Sequence, residues 1–324
     1  ISTDPRTINT TIDGSTFLTG GFTTANKSVL RPYLDVSTDT LSDYLIRFTH
    51  GEGLTTKDLD GDGTTDVFGI DIDGIPGDDY RDRMVTIGSE TKVWKLSDVV
   101  DSTPRIASWV PMNNYYTVYN DQTYKSFTET TGYESRGMVF AGGNDGMLHA
   151  FKLGNLEIIN TQYVKAQLTG SDIGKEIWAF IPKNALPYLK YIADPEYCHL
   201  YTVDLTAYIF DASISGNPDD TKTVNSWRTI LIGGMRFGGA CRNYNASCTD
   251  CVKTPIDGVG YSSYFALDVT DLNNPQLLWE FSDPELGFTT TGPSVIRIGN
   301  SSVNGHWYVV FGSGPTGPVD NINL

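Results

Sequence analysis

The sequence predicts an all-β fold, on three observations. It has 33 Gly, 18 Tyr and 14 Phe in 324 residues, together with Thr-rich stretches, a composition suited to strands and tight turns. Long runs of Ala, Leu, Glu and Lys at helical spacing are missing. One strand grammar also returns along the chain: a strand ending in Gly, a partner carrying Ala or Leu beside an aromatic, then a W-x-F strand.

Residues 1–95 read as a lead-in segment and 96–324 as the repeated part. Within the lead-in, Leu41 to Thr49 (L-S-D-Y-L-I-R-F-T) has helical character, with Thr40 or Ser42 as its start signal. An acidic Gly/Asp stretch follows, from Gly51 to Asp82. Then come strands and turns. Gly137 to Leu153 holds two apolar β runs around Asn144-Asp145-Gly146, residues that supply the positive φ a tight turn needs. Its W-x-F strand is Glu176 to Phe180. A second copy runs through Arg228 to Gly234, Tyr264 to Asp268 and Leu277 to Phe281; a third begins at Thr291 (T-G-P-S-V-I-R-I), echoes Ser102 to Ile106 and reaches Trp307 to Gly314. Repeated units of four short strands are the mark of a β-propeller. Two whole blades and part of a third are expected, an incomplete ring. Trp178 and Trp279 fall at matched repeat positions, so both are expected in the blade cores.

Charge limits the partners. With 39 acidic and 23 basic side chains the net charge is -16, which opposes binding to a phosphate polymer; nucleic acid is not expected. No apolar run approaches the roughly 20 residues a membrane-spanning helix needs. There is no starting Met and no signal peptide, and the Thr/Asn/Gly-rich opening suggests a start inside a longer, exported precursor.

The strongest chemical motif is D-L-D-G-D-G-T-T-D, residues 58–66. It puts Asp58, Asp60, Asp62 and Asp66 at positions 1, 3, 5 and 9 of an EF-hand-type loop, with Gly63 at the sharp turn and the Thr64 carbonyl at position 7. Four carboxylates in nine residues repel one another unless a hard divalent cation sits among them, so Ca2+ is the expected cofactor. At position 12 Gly69 replaces the bidentate Glu, and the remaining ligands must come from Asp71, Asp73 or water. Asp71, Asp73, Asp78 and Asp79 continue the acidic run; D-I-D-G offers a poor second loop, since Ile75 would fill its position 5. The other reading of both runs is a set of solvated acidic turns.

Cysteine chemistry stays open between two readings. Cys248-Thr-Asp-Cys251 lacks the His of a haem attachment motif. Cys198, Cys241, Cys248 and Cys251 could form a four-Cys zinc site, or, as an exported chain favours, disulfides pinning the insertion between Gly239 and Gly260. Four Cys permit three pairings. Nothing points to catalysis: His50, His149, His199 and His306 are scattered, His149 reads as a packed strand residue, and no G-x-S-x-G, H-E-x-x-H or P-loop occurs.

As an ordered set, G-G-N-D-G-M-L-H-A-F (142–151), E-I-W-A-F-I-P (176–182), S-W-R-T-I-L-I-G-G (226–234), Y-F-A-L-D-V-T-D (264–271), L-W-E-F (278–281) and V-V-F-G-S-G (309–314) resemble the C-terminal propeller of the PilY family, the type IV pilus tip-associated adhesins. Y-R-D-R (80–83) and L-S-D-V-V-D-S-T-P (96–104) look like that family's lead into its first blade. The resemblance implies a secreted protein that travels through the periplasm to the cell surface and sits at the pilus tip (fimbrium). There it would assist pilus assembly, oppose retraction and attach to surfaces or host cells, with minor pilins or other tip subunits as partners. It also implies a calcium loop in the propeller region, carried over to Asp58, Asp60, Asp62, Thr64 and Asp66. No Arg-Gly-Asp tripeptide is present, so integrin binding has no sequence basis. A different class is also resembled: Gly142 to Phe180 is similar to the tryptophan-docking repeats of quinoprotein dehydrogenases, propellers that carry pyrroloquinoline quinone and calcium.

Overall fold

The computed structural model describes residues 6–52, 80–81, 83–194, 197, 199–238, 262–283 and 285–315. The chain opens with strands β1 (Ile8–Thr11) and β2 (Phe17–Leu18) and helices α1 (Lys27–Leu34) and α2 (Asp39–His50), then a hairpin of β3 (Met84–Ile87) and β4 (Glu90–Val93). Strand β5 (Arg105–Ser108) leads into three short helices, α3 (Tyr115–Tyr119), α4 (Gln122–Thr128) and α5 (Thr131–Glu134). After them come β6 (Gly137–Gly142), β7 (Leu148–Lys152), the hairpin of β8 (Asn155–Ile158) and β9 (Ala166–Thr169), and β10 (Glu176–Ile181). A 3-10 turn over Lys183–Tyr188 and α6 (Leu189–Ala193) connect to β11 (Tyr208–Ser213), β12 (Trp227–Gly234), β13 (Tyr264–Asp268) and β14 (Gln276–Phe281). The last described strands are β15 (Ser294–Ile298) and β16 (His306–Val310).

The expected repeat is visible in the pairing. β5, β6, β7 and β10 form one antiparallel meander, β11 to β14 a second, and β15–β16 a two-stranded third. The first two match residue for residue. Ala150 of β7 lies between Phe140 and Trp178, and Ala266 of β13 lies between Ile232 and Trp279. Each last strand also carries an irregularity at the same place, between Glu176 and Trp178 in one and opposite Ala266/Leu267 in the other. A small Ala opposite a large indole makes room for it in a close-packed core, and Trp178 is fully buried, its Nε1 donating to the Leu272 carbonyl at 2.8 Å.

The sheets stack face to face. Met138, Phe140, Leu148, Trp178 and Phe180 of the first pack on Leu231, Phe265 and Leu267 of the second. The opposite face of the second, with Ile230, Ile232, Tyr264 and Ala266, packs on Val295, Trp307 and Val309 of the third. Among the described residues the sheets do not close into a ring or barrel.

The fold is therefore mostly β, and its helical part is larger than the all-β expectation. The predicted helix is α2, begun not at Thr40 or Ser42 but by Thr38, whose Oγ1 accepts the Leu41 N–H at 3.1 Å. It ends at Gly51, at φ 85°, the left-handed conformation that Gly adopts without a Cβ penalty. Strand β1 is a further departure, pairing in parallel with β10 so that residues 8–10 lie opposite 179–181. Parallel pairing across so long a separation leaves no local sequence pattern. The other face of the first sheet, with Ala179 and Ile181, is covered by Leu30 and Leu34 of α1 and Leu45, Ile46 and Phe48 of α2.

Candidate functional site

Asp58, Asp60, Asp62, Thr64 and Asp66 lie outside the described residues, as do Asp71, Asp73, Asp78, Asp79 and the four cysteines Cys198, Cys241, Cys248 and Cys251. What the structure places are the residues on either side of the acidic segment, and they converge on the C-terminal end of α2. Glu52 pairs with Arg47 at 3.4 Å, and Arg47 pairs one turn back with Asp43 at 2.6 Å. On the far side Tyr80 is buried and stacks on Phe48, ring centroids 5.5 Å apart. The Arg81 N–H donates to the Ala193 carbonyl at 2.8 Å. Arg83 donates to the Phe48 carbonyl and lies 3.7 Å from the centre of its ring. Burial, with Arg81 nearby, lowers the Arg83 pKa to about 9. This is a desolvated cation beside the acidic segment.

Directly beneath sits a buried charge cluster. Arg6 holds Glu176 with two bonds, Nε to Oε2 at 2.7 Å and Nη2 to Oε1 at 2.8 Å, and donates from Nη1 to the Thr49 carbonyl of α2 at 3.0 Å. His149, fully buried, bridges Glu176 Oε1 at 2.6 Å and Asp145 Oδ1 at 3.0 Å. Burial pushes the imidazole toward its neutral form, but the charge and hydrogen bond of Asp145, followed by those of Glu176, outweigh it and raise the pKa to about 9. Burial likewise works against an ionised Glu176, yet Arg6 and His149 hold it well below the usual carboxylate range. Two cations and two carboxylates thus balance in a dry site, the condition for burying charge at tolerable cost. The expectation of a packed His149 is met in position, though the residue is an ionised bridge rather than an apolar filler.

A third feature lies where the sheets begin. Asp101, Arg105, Asp204, Gly292 and Pro293, from the entries of the three meanders, line a cavity of about 310 Å³ with Arg236. The copies touch: the Asp101 N–H donates to Asp204 Oδ1, and the Thr103 N–H donates to Thr206 Oγ1, both at 3.0 Å. Arg236, in the left-handed region at φ 53°, donates to both Asp101 and Asp204. One guanidinium thus bridges both repeated aspartates, its single charge offsetting one of the two. Among the described residues no cluster of three or more His, Cys, Asp or Glu could hold a metal ion, and no helix is long and apolar enough to cross a membrane.

Sequence reasoning missed this charged layer. The Asp145-x-x-x-His149 spacing was its single local signal; Arg6 and Glu176 are separated by 170 positions.

No protein-family model matches the chain. Curated relatives do. The chain is 27% identical over 303 residues, 91% of its length, to a type IV pilus biogenesis factor PilY1 homolog of Xylella fastidiosa, and 29% identical over 232 residues to another from the same organism. It is 27% identical over 267 residues, 80% of its length, to type IV pilus biogenesis factor PilY1 of Pseudomonas aeruginosa. The matched regions cover 20%, 12% and 18% of those proteins, so the chain spans a fifth or less of their length. The crystal structure of the Pseudomonas aeruginosa PilY1 C-terminal domain aligns with 64% of this chain and 31% of its own, at 28% identity and a TM-score of 0.38. Its similarity to these relatives, which covers up to nine-tenths of its length, supports assigning the chain to the PilY family.

Proposed function

We propose that this chain is the part of a type IV pilus biogenesis factor that sits at the pilus tip, binds calcium through Asp58, Asp60, Asp62, Thr64 and Asp66, and supports pilus extension and surface attachment. The observation that carries the reading is the extended similarity to proteins named type IV pilus biogenesis factor. The stacked meanders support reading the fold as quinoprotein-like propeller blades in an incomplete ring. In that reading the exposed face of the third sheet, with Ile296, Ile298, Tyr308 and Val310, is where a further blade would pack.

In mechanism, Asp58, Asp60, Asp62 and Asp66, which repel one another, and the Thr64 carbonyl would hold the ion, whose charge would offset theirs in the segment between Glu52 and Tyr80. Both ends of that segment are fastened to α2, which covers the first sheet. Calcium occupancy would thereby set the state of the layer on the first sheet. The role is adhesive and regulatory rather than catalytic, carried out outside the cell with minor pilins or other tip subunits as partners.

The test is calcium titration by calorimetry, paired with pilus counts. Asp60→Ala with Asp62→Ala should abolish saturable binding and change pilus number; unchanged affinity and unchanged pili would overturn the reading. The quinoprotein alternative needs a cation and a catalytic Asp in a central site, and here Arg236 already engages Asp101 and Asp204. Turnover of an alcohol with added pyrroloquinoline quinone and a dye acceptor would favour that alternative.

A further inference from the structure

A groove of about 630 Å³ runs between the α3–α4 corner and the turn joining β15 to β16, within the roughly 300–1,000 Å³ usual for small-molecule sites. Its apolar wall is aromatic and rigid. Tyr115 stacks on Trp227 at 5.5 Å and meets Trp307 edge-on at 6.1 Å. Both indole N–H groups are bonded within the protein, Trp227 to Thr123 Oγ1 at 3.0 Å and Trp307 to the Asn304 carbonyl at 3.2 Å. The rings are therefore fixed before any ligand arrives, which lowers the entropic cost of binding. At the rim, Tyr119 is 72% exposed, a large ring left in water.

The polar wall is made of groups that both donate and accept. Asn120 and Gln122 are exposed, with Gln122 Nε2 bonded to Asn120 Oδ1 at 2.7 Å, and Ser301 and Ser302 are exposed opposite them. Lys222 also lines the groove. Its side chain is 6% exposed and its ammonium is paired with Asp121, which leaves further N–H donors of its three. Its charge is balanced by Asp121, and Arg297 spends its guanidinium on the carbonyls of Gly299, Asn300, Val303 and Asn304. With little free cationic charge, the site is poorly suited to a phosphate or nucleotide.

A fixed aromatic face beside amide and hydroxyl groups complements one chemistry in particular. A pyranose ring offers an apolar C–H face and a rim of hydroxyls that each donate and accept. We propose that this groove is a saccharide-binding site, with sugar rings seated on Tyr119, Tyr115 and Trp307 and their hydroxyls bonded to Asn120, Gln122, Ser301 and the Lys222 ammonium. This deepens the adhesive reading above by naming a ligand class, and rests on that reading for its biological role.

The test titrates the whole chain with chitotetraose, cellotetraose, mannotetraose and galactotetraose, followed by tryptophan fluorescence and saturation-transfer NMR. At least one should bind saturably. Tyr119→Ala, at an exposed position, should weaken it roughly three- to tenfold, the scale of one aromatic contact; Gln122→Ala should weaken it less, and neither should alter calcium affinity. Absence of binding by all four, or binding undiminished in both variants, overturns the groove assignment. Pilus and calcium phenotypes that survive such a failure leave the proposed function standing, whereas saccharide binding without any pilus phenotype separates the two in the opposite sense.

Discussion

The two complete meanders share one backbone plan but differ in chemistry at equivalent positions. His149 and Glu176 of the first sheet correspond to Phe265 and Leu277 of the second, as the matched pairings about Ala150 and Ala266 show. Phe265 and Leu277 face the first sheet and pack on its apolar side. His149 and Glu176 face the N-terminal layer instead, where Arg6 supplies a fixed charge from beside β1. What covers a sheet, rather than the sheet itself, decides which residues it can carry. Sheet against sheet is sealed by area burial; sheet against the helical layer combines area burial with one buried cluster of matched charges.

The comparison can be broken first on its apolar side. Phe265→Ala leaves a cavity between two sheets and should cost about 3–5 kcal/mol, read as a fall in the urea midpoint at unchanged slope. On the charged side, Glu176→Leu should cost about 3 kcal/mol, because it leaves Arg6 buried without its carboxylate and His149 with Asp145 alone. Replacing Arg6, His149, Asp145 and Glu176 together by Met, Phe, Asn and Leu should recover most of that loss in the same denaturation experiment. A quadruple variant as unstable as the single one would show that the loss does not come from stranded charge.

Acidity sharpens the contrast further. The pKa of His149 is raised to about 9, so its contribution is full below the ordinary value near 6.5 and fades as pH climbs through 9. The pKa of Glu176 is lowered, so its contribution is present above the ordinary value near 4.5 and is lost as pH falls from there through its lowered folded-state value. Thermal melts should therefore peak between roughly pH 4.5 and 6.5 relative to the quadruple variant, in which this dependence should disappear. The smallest effect is expected at the start of α2, where Thr38→Ala removes one cap bond and should cost about 1 kcal/mol, again by denaturation.

Much of the strand plan was legible in the sequence. Tyr264–Asp268 was read with its observed bounds, and the other repeat strands within a few residues, because Gly punctuation and W-x-F spacing are local signals. The short helices between β5 and β6 were not anticipated. They hold together by Tyr124 and Tyr133 donating to Asp211 at 2.8 and 2.7 Å, contacts made across 87 and 78 positions. The charge cluster and the aromatic groove escaped for the same reason, each being assembled from segments far apart in the chain. The calcium motif was legible as spacing, and its residues lie outside those described.

The clasp at the C-terminal end of α2 has an energetic consequence for the segment it brackets. Joining the ends of a stretch of 27 residues (53–79) in a disordered chain costs about 3 kcal/mol in loop-closure entropy beyond a constant. Here the contacts of Tyr80 and Arg83 with Phe48 close the loop and meet that cost during folding. In the proposed reading, an ion bound within the segment would not have to supply it.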